Sequence, residues 1–161
     1  MNKIFKRTCL IILLLIIIYI IYLHSLYDYN FYSSLIEIPI PIFTKIEEKD
    51  THGGFHGDGE ALVKVYFSDK QAEKFIRKIN KNVHWNKLPM EEILQNCISD
   101  NITDEISVPI IENGYWFFLD RHSKVADKYN YNDMFDRTSS NYTIAIFDID
   151  SKILYIYSLD T

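Results

Sequence analysis

An unbroken apolar run near the N-terminus constrains this chain more than any other feature. Lys3, Lys6 and Arg7 precede a stretch from Cys9 to Leu23 that is rich in Ile and Leu, and Leu26 and Tyr27 extend it past His24 and Ser25. As a helix, residues 9–27 would be about 28 Å long, against a hydrocarbon core of about 30 Å. The basic start also suits a cleaved signal peptide. The nearest approach to a cleavage site, Leu23-His24-Ser25, carries a large residue where a small one is needed. Cys9 stands at the start of the apolar run, not after it, which does not fit a lipoprotein attachment site. The reading is therefore an uncleaved anchor over residues 1–27. The first charges beyond the span are Asp28 and Glu37, so the basic flank should stay in the cytoplasm and residues 28–161 should lie outside, in a single-pass arrangement at the cell membrane.

The remaining 134 of the 161 residues suffice for one domain with a real core. Taking Lys3, Lys6 and Arg7 away from a net charge of −5 leaves −8 outside. An acidic domain without a basic, aromatic-interleaved patch excludes nucleic acid as a partner. Cys9 and Cys97 fall on opposite sides of the membrane in this topology and cannot pair, so Cys97 reads as a small buried hydrophobe. Heavy use of Ile, Lys, Asn and Tyr points to an AT-rich genome and a low-GC bacterium.

Residues 28–41 read as a stalk and 42–161 as an extracytoplasmic α+β domain. Pro39 and Pro41 lack N–H donors and limit their segment to an edge strand or linker. A strand is expected from Glu60 to Phe67, with Ala61, Val63 and Val65 on one face and Leu62, Lys64 and Tyr66 on the other. Ser68-Asp69-Lys70-Gln71 fits a capping box, followed by Ala72, Phe75, Ile76 and Ile79 at helical spacing. Pro89 opens a second short helix to about Ile98, burying Ile93 and Leu94. Asn113-Gly114 signals a hairpin before a strand from Tyr115 to Asp120 that is apolar on both faces. Residues 142–148 and 153–159 form a closing hairpin. The order implies an antiparallel sheet with two helices on one side.

The polar motif of interest is Asp50-Thr51-His52-Gly53-Gly54-Phe55-His56-Gly57-Asp58-Gly59-Glu60. Its glycines permit close backbone approach. If the strand register runs back to His56, then His56, Asp58 and Glu60 share one face about 6–7 Å apart. Imidazole and carboxylate ligate zinc and related ions, so His52, His56 and Asp58 are candidate ligands for a divalent metal cofactor. Equally, Asp and Asn serve Gly-rich turns through local hydrogen bonds, and four glycines rule out the helical meaning of His-x-x-x-His. Asp120-Arg121-His122, at the end of a strand, can add to the same site. No Gly-x-Ser-x-Gly elbow, Cys–His signature or phosphate-binding loop is present.

The segment Thr51–Gly59, with Gly114-Tyr115-Trp116-Phe117-Phe118 and Asp120-Arg121-His122-Ser123, resembles a group of small uncharacterised membrane-anchored proteins of low-GC Gram-positive bacteria that share a Thr-His-Gly-Gly-Phe-His-Gly-Asp-Gly motif. The resemblance covers roughly residues 47 to 161. It implies no activity, but it does imply that the His-Gly motif and Asp120-Arg121-His122 belong to one pattern. Three functions are consistent with these readings. The first is a membrane-anchored binding or interaction module whose ligand meets His52, Gly53, Gly54, His56, Asp58, Glu60, Asp120, Arg121 and His122. The second is a small metal-dependent hydrolase with Glu60 as general base. The third is an acidic immunity or inhibitor-type protein, for which charge is the only support.

Overall fold

A computed structural model of the chain describes residues 3–53, 57–99, 107–122 and 124–161. The apolar run forms a single helix, α1 (Lys3–Ile36), that is long and apolar enough to cross a membrane. It does not stop where the apolar run stops. Residues 28–36, within the stretch expected as a stalk, continue the helix, and Tyr29, Tyr32 and Ile36 are buried in the domain core. The helix ends at Glu37, which takes a left-handed backbone conformation (φ 57°). Pro39 and Pro41 then keep the chain irregular, while Ile38 and Ile40 turn inward and are buried.

Six strands follow, β1 (Lys45–Asp50), β2 (Gly59–Tyr66), β3 (Asn86–Lys87), β4 (Gly114–Asp120), β5 (Tyr142–Asp148) and β6 (Ile153–Asp160). They make one antiparallel sheet in the order β1-β2-β6-β5-β4-β3. The α+β class is as expected. The closing hairpin, β5–β6, and the strand after the Gly-rich segment, β2, form where their alternation places them.

Helix α2 (Asp69–Ile79) starts as its capping residues dictate. The Gln71 side-chain oxygen accepts both the backbone N–H of Ser68 (2.9 Å) and its hydroxyl (2.7 Å). Ala72, Phe75 and Ile79 are its buried stripe. Helix α3 (Glu92–Ser99) buries Leu94 and Ile98; Ile93, expected inside, is exposed.

The two helices lie on opposite faces of the sheet, which corrects the expectation of helices on one side. One core joins α1 and α2 to Val63, Val65, Phe117, Phe147 and Ile156. The other joins α3 to Leu62, Trp116, Phe118, Ile144 and Tyr157. The physical reason is in β4, which is buried at every residue and therefore needs cover on both sides.

A second correction concerns Asn113-Gly114, which makes no hairpin turn. Gly114 is the first residue of β4, and a Cβ there would lie 2.1 Å from the carbonyl oxygen of Phe147. The glycine answers a close approach between strands.

Helix α1 crosses the sheet instead of running along it. Tyr29 donates its hydroxyl to the carbonyl of Thr44 (2.8 Å), just before edge strand β1. Eight residues later, the Glu37 carboxylate accepts from Lys128 and Tyr129 (2.7 Å each), beyond the end of β4. The apolar half of α1 therefore leaves the domain from the β1 side.

Candidate functional site

Three strands finish at the same end of the sheet, and each finishes on an aspartate: Asp50, Asp120 and Asp160. The register confirms the shared end, with Asp50 opposite Ala61, Gly59 opposite Asp160, and Asp120 opposite Tyr142. The two sequence motifs meet here.

The His-Gly segment begins with an Asx turn. The Asp50 carboxylate accepts the backbone N–H of His52 at 2.7 Å, which bends the chain as β1 ends. Thr51 still pairs with Glu60, its N–H donating to the Glu60 carbonyl at 2.8 Å. His52 then folds over Gly59. A Cβ on Gly59 would come within 2.5 Å of the His52 Cα and 2.7 Å of its nitrogen, so only glycine fits. From this position the imidazole bridges two strands. Its Nδ1 lies 2.5 Å from Asp50 Oδ1 and its Nε2 lies 3.1 Å from Asp160 Oδ2.

Arg121 approaches Asp160 from the other side. Its guanidinium contacts Asp160 Oδ1 and Oδ2 at 3.0 Å each, and it also donates to the carbonyls of Tyr142 and Leu159 (3.1 Å each). The fork spans β5 and β6 and ties them to the residue that follows β4. Asp120, fully buried, is held by Arg137 (2.5 Å) and by the backbone N–H of His122 (2.9 Å). Each strand-terminal carboxylate thus has at least one cationic or N–H donor.

The carboxyl groups feel these contacts. Burial pushes Asp50 up, but the His52 N–H and imidazole overcome it and hold the group below the usual carboxylate range. Glu60 behaves in the opposite way. Burial pushes its carboxyl up, and the Tyr157 hydroxyl and the nearby His52 recover only part of the shift.

Of the expected site residues, His52 and Arg121 meet through Asp160, Asp120 pairs separately with Arg137 at the same sheet end, and Glu60 lies beside Tyr157. Gly53 and Asp58 close the mouth of the hairpin through a long backbone hydrogen bond (3.4 Å), and Asp58 is exposed. The His122 ring turns into the loop after β4, where Nδ1 accepts the Lys124 N–H at 3.3 Å. Gly54 and His56 lie outside the described residues. Asp160 and Arg137 escape sequence reasoning because nothing in their local sequence marks them: strand register brings Asp160 to the end of the sheet, and the loop between β4 and β5 brings Arg137 back to Asp120.

The chemistry open to this arrangement follows from its donors. Both ring nitrogens of His52 face carboxylate oxygens, so the imidazole links the end of β1 to the end of β6. Among the described residues, no group of three or more His, Cys, Asp or Glu side chains is placed to hold a metal ion.

A separate feature lies on the α3 face. Leu88, Met90, Ile98, Val108, Ile111 and Ile146 line an open apolar groove of about 450 Å³, with Ile110 almost fully exposed at its rim. Compared with protein-family models, with curated proteins and with solved structures, the chain matches none.

Proposed function

We propose that this chain is a single-pass membrane protein whose folded domain, held outside the cell membrane, acts as a binding or interaction module. The observation that carries the reading is the continuity of α1. Every side chain from Leu10 to Leu23 is at least 41% exposed, while Tyr29, Tyr32 and Ile36 of the same helix are core residues. So large an exposed apolar surface needs a non-aqueous solvent, and a bilayer supplies one. The basic flank of Lys3, Lys6 and Arg7 favours the N-terminus inside.

The binding role draws support from two features. The polar groups at the sheet end are engaged with one another, as suits a rigid scaffold more than a catalytic centre. The groove beside α3 has the size and apolar lining of a small-ligand site.

Protease protection in sealed, right-side-out membrane vesicles tests the topology. Digestion of the domain without detergent, with the N-terminus protected, is the expected result; protection of the domain would overturn it. Binding is tested with an apolar fluorescent dye. Uptake that is lost in Ile111→Asp supports a groove that takes ligands, and equal uptake by both proteins counts against it.

A further inference from the structure

We propose that the domain rests on the lipid surface through a collar of apolar side chains around the point where α1 leaves it: Tyr27, Phe31, Ile42 and Phe43. The proposal builds on the membrane-spanning reading above and adds a second contact with the bilayer, made by the domain itself.

The spacing along α1 sets the geometry. Leu23 ends the unbroken part of the apolar run and Tyr29 is already buried in the core. Six residues of helix rise about 9 Å, so the domain starts within the headgroup layer of a bilayer that holds the run. Helical side chains lean toward the N-terminus, which here is the membrane side. The Tyr29 hydroxyl donates to the Thr44 carbonyl at 2.8 Å. The loop before β1 is thereby held against the buried Tyr29 of α1, beside the point at which the helix leaves the core.

That loop presents its most apolar residues to the outside. Phe43 is 78% exposed and Ile42 is 46% exposed. Phe43 also has a left-handed backbone (φ 63°), a conformation that bulky side chains rarely adopt. The Thr44 hydroxyl donates to the Pro41 carbonyl and closes the turn that holds it there. On the other side of the helix, Tyr27 and Phe31 stack at one turn's spacing with ring centroids 6.4 Å apart, and they are 69% and 47% exposed. The helix therefore emerges between two apolar pairs on different faces. Rings of this kind are stable at the boundary between acyl chains and headgroups. Water is the costly surrounding for them, and the continuity of α1 puts lipid, not water, beside them.

Nitroxide labels on the full chain in phosphatidylcholine vesicles test this, in a Cys9→Ala/Cys97→Ala background. Labels are placed through Ile20→Cys in the span, Phe43→Cys in the collar and Val83→Cys, an exposed position beside Glu37 at the end of α1 away from the apolar run. Collision with oxygen, which partitions into lipid, is compared with collision with a water-soluble nickel complex. The expected result is an oxygen-dominated label at 20, a nickel-dominated label at 83, and a shift at 43 toward the behaviour of 20. A label at 43 that matches 83, while 20 remains in lipid, overturns the collar and leaves the anchor standing. A nickel-accessible label at 20 overturns the membrane-spanning reading and the collar with it.

Discussion

Gly59 and His52 form a matched pair, because the missing Cβ of one is the space occupied by the backbone of the other. Gly59→Ala must push His52 away from the sheet or open the hairpin, and overpacking of this kind costs about 1–3 kcal/mol. His52→Ala removes the bridge between Asp50 and Asp160 but leaves Asp160 with Arg121. It should cost less, about 1 kcal/mol, since the ring is partly exposed and its contacts with the two carboxylates compete with water. The two changes act through the same displacement, so the double variant should fall short of the sum in urea unfolding. Strict additivity would mean that Gly59 answers some constraint other than His52. Arg137 has a larger role. It holds the fully buried Asp120, and Arg137→Met leaves that carboxylate with the His122 N–H as its one remaining donor among the described residues. Removing one partner of a buried pair costs about 3–5 kcal/mol, and Asp120→Asn in the same chain should recover much of it by removing the charge. A urea midpoint unmoved by Arg137→Met would show that Asp120 does not depend on this partner.

At the level of elements, the end of α1 and the start of β2 respond to pH with opposite sign. Burial pushes the Glu37 carboxyl up, but hydrogen bonds from Lys128 and Tyr129 outweigh it and hold the group below its ordinary range. Its stabilisation is present above the ordinary carboxylate pKa of about 4.3 and is lost as pH falls through the lower value in the folded protein. Glu60, pushed up by burial, contributes stability below that ordinary value and loses it as pH rises through its folded pKa. Glu37→Gln should therefore flatten the acid limb of the stability profile. Glu60→Gln should raise stability at neutral pH while changing the acid limb in the other direction. Thermal unfolding from pH 3 to pH 7 checks both, and identical profiles for the two variants would contradict these assignments. Elements built from adjacent residues were legible in the sequence, as with the Ser68–Gln71 start of α2 and the β5–β6 hairpin. Elements chosen by distant partners were not. Strand β3 is two residues long and exists only because β4 lies beside it. The opposite placement of α2 and α3 follows from β4 being apolar on both faces, a pattern that fixes burial but does not say which helix covers which side. Gly114 shows the same limit, since a glycine needed for a turn and one needed for a close approach look alike in sequence. In the candidate site, Arg121 was read from the sequence as one group with the His-Gly motif. Asp160, which physically connects His52 to Arg121, lies at the far end of the chain and was not.

For the molecule as a whole, the decisive property is that the apolar N-terminal run and part of the core share one helix. An anchor joined through a flexible stalk could be cut from its domain at any residue of the stalk. Here Tyr29, Tyr32 and Ile36, followed by Ile38 and Ile40, are buried in the core that contains α2 and Val63, Val65 and Phe117. Tyr29 and Trp85 also bind the backbone of this segment's ends, through the Thr44 and Ile36 carbonyls. Full burial of a large apolar side chain is worth about 1.5–3 kcal/mol. Five such residues together match or exceed the net stability of about 5–15 kcal/mol expected for a whole domain. A fragment of residues 28–161 should therefore fold cooperatively, whereas one of residues 42–161 should not, although both contain every strand of the sheet. Circular dichroism and urea titration of the two fragments distinguish the cases. A sharp transition for 28–161 and none for 42–161 is the expected outcome. Equal midpoints would mean that the end of α1 packs on the domain without stabilising it, and the domain would then be free to move relative to its anchor. If the expected outcome holds, and α1 spans a bilayer as proposed, any tilt of its apolar half is transmitted into the sheet. The groove beside α3 and the polar sheet end then keep a fixed orientation to the bilayer, which is the condition under which a short, acidic domain can present one chosen surface away from the lipid.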